Sequence, residues 1–238
     1  MPSPSRPAAG SAQPPLDCAL CPRLVTLRQD TDAAHPDWFN APVPSFGPVS
    51  ARLLVVGLAP GLRGANRTGR PFTGDFAGDL LYQSLLGQGL AEGVYDARPD
   101  DGLTLLHARI TNAVRCVPPE NKPTPKEQTT CRPFLVAELA AMPHLAVILA
   151  LGRLAHDAVL RALGRRLADH PFAHGASHAL PDGRALIDSY HCSRYNQNTG
   201  RLTPDMFREV IAMCAARLTE TGGSAAPEPI SIDLESNK

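Results

Sequence analysis

The apolar residues of the chain form two alternating patterns. Short apolar runs predict buried strands at about 52–57 and 145–151, and shorter segments with fewer apolar residues predict two further strands at about 107–114 and 185–190. Apolar residues at helical spacing, together with capping residues, predict helices near 22, at 76–90, from 124, at 153–163 and from 203. Because strands that alternate with helices build a parallel sheet covered on both faces, we expect one α/β domain with a central four-stranded parallel sheet.

The two ends of the chain lack these patterns. Residues 1–15 are rich in Pro, Ala and Ser, and residues 221–238 are rich in Gly, Ser, Pro and acidic side chains. This composition predicts two disordered tails around a domain at 16–220. The N-terminus has no apolar stretch of the kind found in secretory signals, and no apolar run is long enough to span a membrane. We therefore expect a cytoplasmic protein that has no membrane partner.

The overall charge is balanced, because 23 Lys and Arg residues match 23 Asp and Glu residues. The chain thus lacks the general basic character that marks many nucleic-acid-binding proteins. The arginines nevertheless cluster near the glycine-rich segments. A local basic site is therefore compatible with a net charge of zero.

A glycine-rich stretch at 57–75 follows the first predicted strand. Its many glycines predict a loop rather than a helix, at the sheet edge where α/β proteins bind ligands. Glycines let the backbone approach a ligand closely and point N–H groups at an anion. The stretch also carries arginines, an aromatic ring, an amide and a carboxylate: Arg63, Arg67, Arg70, Phe72, Asn66 and Asp75. The simpler alternative is a glycine-rich surface turn.

Two further strand ends supply polar side chains suited to catalysis. Asn112 lies near the end of the second predicted strand, and His191 directly follows the fourth. In a parallel sheet, both open on the same edge as the glycine-rich stretch. There Asn112 can read an amide-like edge, His191 can donate to a developing anion, and Phe72 can stack on a flat ring. With Asp75 to orient a water molecule and arginines to hold phosphates, the set is typical of nucleobase chemistry.

Each of these four residues also has a simpler interpretation. Asn112 could cap a turn, and His191 could be a hydrogen-bonded histidine at a strand end. Phe72 could be a core residue, and Asp75 could be only the N-cap of the helix that begins at Phe76. The functional interpretation is favoured because all four side chains are expected at one edge of the sheet.

Four of the six cysteines have the placement of metal ligands: Cys18, Cys21, Cys116 and Cys131. The first two form a CxxC motif, whereas the others end a strand and lie on the following helix. In a reducing cytosol, metal binding is more common for such cysteines than disulfides. Four thiolates suit either tetrahedral zinc or a [4Fe–4S] cluster, and the residues favour iron–sulfur without deciding. Four unrelated buried thiols are the remaining alternative, and Cys214, on an apolar helix face, is expected in the core.

Three segments carry a resemblance to a known family: GLAPGLRGANRTGRPFTGD at 57–75, TNAVRCVPPENKPTP at 111–125 and SYHCSRYNQNTGRLT at 189–203. From Cys18 to Leu218, the chain resembles the uracil-DNA glycosylase superfamily, specifically its iron–sulfur branch, family 5 or type B. The resemblance implies a four-stranded parallel sheet flanked by helices, and it identifies the four cysteines as ligands of a [4Fe–4S] cluster. It further implies a monofunctional glycosylase that flips uracil, and also hypoxanthine or xanthine, out of DNA and hydrolyses the N-glycosidic bond, which starts base excision repair.

The resemblance also implies roles for individual residues. Phe72 would stack on the base, Asn112 would face its pairing edge, and His191 would stabilise the charge of the departing base. The base pocket would be lined in addition by Gly57, Ala59 and Gly61. Contacts to DNA phosphates, or insertion into the duplex by the 194–201 segment, would fall to Arg63, Arg67, Arg70, Arg194, Tyr195 and Arg201. The expected partner is DNA that contains uracil or other deaminated bases, bound by a monomer at the nucleoid.

The sequence departs from the family pattern at two places. Related glycosylases with a stronger preference for uracil carry an acidic or amide side chain just after the first glycine, where this chain has Leu58 and Ala59. Apolar side chains cannot activate water, so this task is expected to pass to Asp75 or to backbone groups. Cys192 stands where the superfamily's HPS motif has Pro, which bears on the geometry of the inserted loop more than on His191.

Two other functions compete with base excision. A non-catalytic nucleic-acid-binding module with a structural metal would account for the thiolates and arginines. It would leave Asp75, Asn112 and His191 without a common task. A redox enzyme is less favoured, because no nicotinamide or flavin fingerprint follows a strand.

Overall fold

A central sheet organises the chain, which a computed structural model describes for residues 12–221. Most of the two predicted tails, at 1–11 and 222–238, lies outside the described residues. The strands, in chain order, are β1 (Leu53–Gly57), β2 (Ala91–Glu92), β3 (Thr104–Leu105), β4 (Ala108–Asn112), β5 (Val147–Leu151), β6 (Ser177–Ala179) and β7 (Ala185–Ser189). Strands β2 and β3 form a separate antiparallel pair.

The main sheet has the strand order β4-β1-β5-β7-β6. The first four strands pair in parallel, which confirms the predicted four-stranded parallel sheet. All of their residues are buried, including the polar residues that β4 and β7 carry towards their carboxyl ends. The fifth strand, β6, was not predicted. It pairs antiparallel with β7 at the sheet edge, and its residues are too polar and exposed to show an apolar pattern.

Helices cover both faces of the sheet. They are α1 (Pro22–Ala34), α2 (Ala65–Thr68), α3 (Phe76–Gly87), α4 (Pro125–Ala141), α5 (Arg153–Ala162), α6 (Arg194–Asn198) and α7 (Pro204–Thr221). Alternate residues of β1 separate two cores: Leu53 and Val55 pack with α3 and α7, whereas Leu54 and Val56 pack with α4 and α5. Cys214 is fully buried on α7, as expected. No helix within residues 12–221 combines the length and the apolar character needed to cross a membrane.

Two short helices differ from the predicted loops. Helix α2 lies inside the glycine-rich stretch, where the glycine content argued against any helix. That expectation was wrong because Gly64 and Gly69 flank the helix rather than interrupt it. Helix α6 forms within the segment 194–201, where Ser193 is the N-cap and its hydroxyl accepts a hydrogen bond from the Asn196 N–H. The segment proposed to enter the duplex is therefore partly helical.

The folded domain begins before residue 16, where the sequence predicted its start. Arg115 is buried and donates to the Gln13 side chain at 3.2 Å and to the Ala12 carbonyl at 3.3 Å. The same guanidinium pairs with Glu138 at 2.9 Å. Residues 12–15 are thus held against the end of β4 and helix α4, which corrects the inner part of the predicted N-terminal tail.

The order of the strands fixes where a ligand site can form. The chain passes from β1 to β4 on one side, and then returns across β1 to β5 and β7 on the other side. In open α/β sheets, the crevice at such a reversal, outside the carboxyl ends of the strands, is the usual binding site. The glycine-rich stretch and the residues that follow β4 and β7 all emerge there.

Candidate active site

A solvent-open cleft of about 750 Å³ lies at this edge of the sheet. Segments that follow β1, β4 and β7 contribute to it, as the topology required. Four residues selected from the sequence for their chemistry all line it: Phe72, Asp75, Asn112 and His191. The cleft is also lined by the predicted residues Ala59, Gly61, Arg63 and Arg194, and by Leu58.

Phe72 and Asn112 both pack against Gly57 at the base of the cleft. A Cβ atom at Gly57 would lie 2.5 Å from Asn112 Oδ1 and 2.7 Å from Phe72 Cζ. Glycine is therefore required here for the ring and the amide to approach each other. Phe72 is 7% exposed and adopts φ +53°, a left-handed conformation that costs a bulky residue about 1–2 kcal/mol. Such strain is found where the surrounding structure holds a residue in place for function.

The Asn112 side chain has unused hydrogen-bonding capacity. It is 2% exposed, and its Oδ1 is buried without a hydrogen-bond partner among the residues described. An unpaired buried polar atom costs about 1–3 kcal/mol, so such atoms call for an explanation. A ligand amide edge in the cleft would satisfy it. The simpler interpretation, a turn cap, receives no support from these contacts.

Asp75 has two oxygens in different surroundings. Oδ1 accepts hydrogen bonds from the N–H groups of Ala77 at 3.1 Å and Gly78 at 3.3 Å, which confirms the N-cap of α3. Oδ2 faces the glycine-rich stretch, where a Cβ at Gly64 would come within 2.4 Å of it. Burial raises the pKa of Asp75, and the two backbone N–H groups oppose that rise. One side chain thus caps the helix and presents a carboxylate oxygen to the cleft.

His191 is held as a neutral imidazole. Burial lowers its pKa to about 4. The ring centroid lies 6.0 Å from that of Phe72, and the His191 carbonyl accepts a hydrogen bond from Asn196 Nδ2 at 2.8 Å. A Cβ at Gly152, which has φ +93°, would touch the His191 Cβ at 3.4 Å. The neutral ring keeps one N–H with which it can donate to a developing anion.

The lowered pKa of His191 predicts a pH-dependent contribution to stability. Between about pH 6.5 and pH 4, the unfolded chain binds a proton at His191 that the folded chain does not. The contribution is therefore complete above this window and is lost as the pH falls through it. In the wild-type protein, the free energy of unfolding should fall between pH 7 and about pH 4.5. We expect this fall to be about 2 kcal/mol smaller in His191→Gln, as measured by urea denaturation at both pH values. Equal losses in both proteins would contradict this assignment.

Most of the predicted DNA-contacting side chains are exposed near the cleft. Arg63 and Arg67 are exposed, and the Arg194 guanidinium stacks over the Phe76 ring at 5.0 Å. Tyr195 is 72% exposed on α6. Arg201 lines an adjoining groove and stacks over Tyr190 at 4.6 Å.

Arg70 does not face solvent, so its predicted contact with DNA phosphates is wrong. It is 5% exposed, and its guanidinium makes two hydrogen bonds to Asp101, at 2.8 and 2.7 Å. Its Nε donates to Thr73 Oγ1 at 2.7 Å. The Nε and one N–H of each terminal nitrogen are therefore already occupied inside the protein, including the bidentate pair that a phosphate would use.

The four predicted metal ligands converge. Cys18, Cys21, Cys116 and Cys131 all line one pocket between the start of α1, the end of β4 and helix α4. Two N–H donors approach the sulfur atoms: Arg28 Nη1 lies 3.7 Å from Cys116 Sγ, and the Arg115 backbone N–H lies 3.4 Å from Cys131 Sγ. Their placement in one pocket favours a common role over four unrelated thiols.

Burial makes these thiols costly to ionise without a cation. It raises the pKa of Cys21 to about 11 and that of Cys116 to about 12, and it also raises the pKa of Cys131. The neighbouring cysteines add to the rise for Cys21, because several thiolates in one pocket would repel each other. A bound metal would reverse this balance, since coordinating thiols lose their protons.

Two features of the structure escaped the sequence analysis. Asn121, at φ +56° in the proline-rich loop, reaches the cleft, and its neighbour Glu120 also has positive φ. An Asn among prolines could have suggested a tight turn, but nothing local showed which way the loop would fold.

The second is a buried cluster of His156, His178 and Asp188. Their ligand atoms lie within 4.8 Å of one another, and no other such group of three is found among residues 12–221. His156 Nδ1 and His178 Nε2 lie 2.7 and 3.1 Å from the two Asp188 oxygens, and His156 Nε2 lies 2.9 Å from the His170 carbonyl. These are ordinary hydrogen-bond lengths, so the cluster is satisfied internally and joins α5, β6 and β7.

Comparison with known proteins agrees with the site. A family model described as "Uracil DNA glycosylase superfamily" matches residues 44–214. The type-5 uracil-DNA glycosylase of Thermus thermophilus is 49% identical over 207 residues, which cover 84% of this chain and 93% of that protein. The type-5 uracil-DNA glycosylase of Mycobacterium tuberculosis is 44% identical over 203 residues, covering 82% and 75%.

A type-4 uracil-DNA glycosylase matches over a shorter part. The protein from Archaeoglobus fulgidus is 40% identical over 115 residues, which cover 48% of this chain and 49% of that protein. The type-5 relatives therefore match along nearly the whole described domain, whereas the type-4 protein matches about half of it. By the family model and by these identities, the chain belongs to the uracil-DNA glycosylase superfamily, in its type-5 branch.

Proposed function

We propose that this protein removes uracil from DNA by hydrolysing its N-glycosidic bond. The observation that carries the proposal is that Phe72, Asp75, Asn112 and His191 meet in one cleft. A stacking ring, an unpaired amide, a carboxylate and a neutral imidazole are the groups that such a reaction needs. The names of the type-5 relatives support the same substrate.

The first step is capture of a base outside the duplex. A base inside the helix cannot reach the buried Asn112, so it must be flipped out, at a cost of a few kcal/mol. Phe72 stacks on the extruded ring, and the Asn112 amide hydrogen-bonds its pairing edge. The exposed Arg63 and Arg194 hold the phosphates beside the cleft, while Tyr195 enters the space that the base has left.

The second step breaks the bond between the sugar C1′ and the base nitrogen. The bonding electrons leave with the base, and the His191 N–H donates to the oxygen on which negative charge develops. The sugar becomes cationic, and the carboxylate of Asp75 stabilises it by charge. A water molecule adds to C1′ and gives its proton to Asp75 Oδ2. The base anion then takes up a proton from solvent and Asp75 releases one to solvent, so that free base and an abasic site are the products, with both DNA strands intact.

We further propose that the four cysteines hold a [4Fe–4S] cluster. Zinc with four sulfurs at about 2.3 Å would bring them roughly 3.8 Å apart. Within residues 12–221, no three of the cysteine sulfurs lie within 4.8 Å of one another. The wider spacing and the N–H donors at Cys116 and Cys131 suit a larger group with bridging sulfides. When bound, it would supply a structural link, and the proposed reaction needs no electron transfer.

The apolar pair Leu58 and Ala59 supports a broader range of bases. Both line the cleft, and neither can make a polar contact that only one base would satisfy. Recognition then depends on stacking and on the Asn112 amide, which offers both donors and an acceptor. We propose hypoxanthine and xanthine as further substrates, and a monomer that acts in the cytoplasm at the nucleoid.

The proposal is tested with labelled duplexes that carry a single uracil opposite guanine. We expect release of free uracil, and strand cleavage only after alkali treatment of the abasic site. Duplexes with hypoxanthine or xanthine test the wider range in the same assay. Binding to these duplexes without release of any base would instead favour the non-catalytic nucleic-acid-binding module.

A further inference from the structure

Three side-chain contacts hold the loop that carries Phe72. The Tyr95 hydroxyl donates to the Phe72 carbonyl at 3.3 Å, and the Tyr82 hydroxyl donates to the Pro71 carbonyl at 2.6 Å. Arg70 Nε donates to Thr73 Oγ1 at 2.7 Å, just beyond Phe72. The backbone is therefore fixed before, at and after the residue with the strained φ.

The Arg70–Asp101 pair forms the centre of this arrangement. The Asp101 side chain is fully buried, and it also accepts hydrogen bonds from the N–H groups of Asp96 at 2.9 Å and Leu103 at 3.1 Å. The Arg70 guanidinium lies 5.1–5.8 Å from three ring centroids, those of Phe46, Tyr82 and Tyr95. Because the ion pair is enclosed, its geometry is rigid in a way that an exposed pair is not.

The absence of a side chain at Gly78 makes this packing possible. A Cβ there would lie 1.8 Å from the Phe72 carbonyl oxygen and 2.4 Å from the Tyr95 hydroxyl. On its other side, the Phe72 ring packs against Gly57. Phe72 is thus held through its carbonyl by the first turn of α3 and through its ring by the end of β1.

We propose that Arg70, Asp101 and Tyr95 are positioning residues that hold the Phe72 ring as the platform for a flipped nucleobase. This inference rests on the proposed function. We call Arg70, Tyr82, Tyr95 and Asp101 the Phe72 support. A stacking ring selects a flat base only if it stays at a fixed height and tilt above the amide of Asn112, and small displacements of such groups reduce rates strongly.

Arginine is required at the centre of the support. Its planar fork reaches both Asp101 oxygens and Thr73 at once, whereas a lysine keeps the charge but supplies only one point of contact. Arg70→Lys should therefore leave the charge balance intact and loosen the loop. The effect on excision is expected to arise only through Phe72.

A double-mutant cycle tests this connection. We expect Arg70→Lys to lower kcat/KM for uracil excision about tenfold, and Phe72→Ala to lower it about ten- to a hundredfold. When Phe72 is already Ala, Arg70→Lys should change the rate less than about twofold, because the ring it positions is gone. Equal effects of Arg70→Lys in both backgrounds would overturn the proposal, and so would no effect in the wild-type background.

A readout that does not depend on catalysis accompanies the cycle. With 4-fluorophenylalanine at position 72, we expect one sharp ¹⁹F resonance in the otherwise wild-type protein and a broadened or split one with Arg70→Lys. An unchanged resonance would contradict a positioning role. The matched control is Arg98→Lys, since Arg98 lies in the loop that carries Asp101 but is 63% exposed. It should change neither the resonance nor the rate.

A second variant covers the case in which Arg70→Lys does not fold. Tyr95→Phe removes only the hydroxyl that reaches Phe72, while its ring can keep its stack on Tyr82. The same double-mutant cycle and the same ¹⁹F measurement, made with Tyr95→Phe in place of Arg70→Lys, then show whether the support positions the Phe72 ring. If the wild-type protein released no base, the proposed function would fail, and the ¹⁹F signal would still show whether the support fixes the ring.

Discussion

Replacing Asp75 by Asn is expected to lower uracil excision by about 10²–10⁴-fold while the protein remains folded. Asn is as good an N-cap as Asp, so α3 keeps the hydrogen bonds that Ala77 and Gly78 donate. What is lost is the negative charge that we propose stabilises the developing cation and accepts the proton of water. Single-turnover rates and the affinity for a uracil duplex, measured together, should separate an effect on the reaction from an effect on DNA binding. We expect the affinity to change less than about threefold.

The matched control is a carboxylate in the first turn of another helix. Asp205 of α7 is 85% exposed and pairs with Arg208, so Asp205→Asn should leave excision unchanged. Asp75→Ala would be a poorer test, because loss of the cap alone costs about 0.5–2 kcal/mol of stability. If Asp75→Asn excised uracil at the wild-type rate, Asp75 would be a helix cap only, and the water would have to be aligned by backbone groups.

Strands β1 and β5 could be predicted because burial on both faces makes them uninterrupted apolar runs. β4 and β7 are buried as well but carry polar residues, so they were visible mainly from their place between predicted helices. The edge strand β6 could not be found in this way. Its pairing with β7 depends on a neighbour in space, and its own residues are polar or exposed.

The candidate site could be predicted where it depends on topology alone. Asn112 and His191 lie at strand ends, and parallel strands bring such ends to one edge. Arg70 shows the limit of this reasoning. Its side chain is buried because it pairs with Asp101, 31 residues further along the chain, and no local sequence pattern connects the two residues. An arginine in a glycine-rich loop has the same sequence pattern whether it faces a phosphate or a buried carboxylate.

The cysteines illustrate an intermediate case. Their spacing indicated ligands, and the fold brings all four to one pocket. The spacing alone could not distinguish zinc from an iron–sulfur cluster, because both accept four thiolates. Arg28 and the backbone of Arg115, which reach the sulfurs, were not predicted either. Their contacts depend on how α1 docks against the end of β4.

Helix α1 is the element expected to depend most on the cluster. Only Leu24 and Thr31 are buried along its 13 residues, so it has little apolar surface with which to hold itself on the domain. The Arg23–Glu127 ion pair, at 2.7 Å, joins it to α4, but Arg23 is 41% exposed and the pair adds little. Arg28 approaches Cys116 Sγ at 3.7 Å, and Cys18 and Cys21 directly precede the helix, so much of its attachment is at the cysteine pocket. Metal binding and docking of α1 should therefore be one event.

Cys131→Ala is accordingly expected to yield protein without iron, and to lower the free energy of unfolding by at least about 4 kcal/mol. Iron content and visible absorption measure the loss of the metal, urea denaturation measures the free energy of unfolding, and hydrogen exchange along α1 measures its docking. Cys214→Ala is the matched control, because that thiol is also buried on a helix but lies far from the pocket in the core packed by α7. The Cys214→Ala protein should retain iron, and hydrogen exchange in its α1 should remain slow. Its free energy of unfolding should fall by about 1 kcal/mol. Slow exchange in α1 of an iron-free Cys131→Ala protein would show that α1 docks without the cluster, and would leave the cysteines with another role.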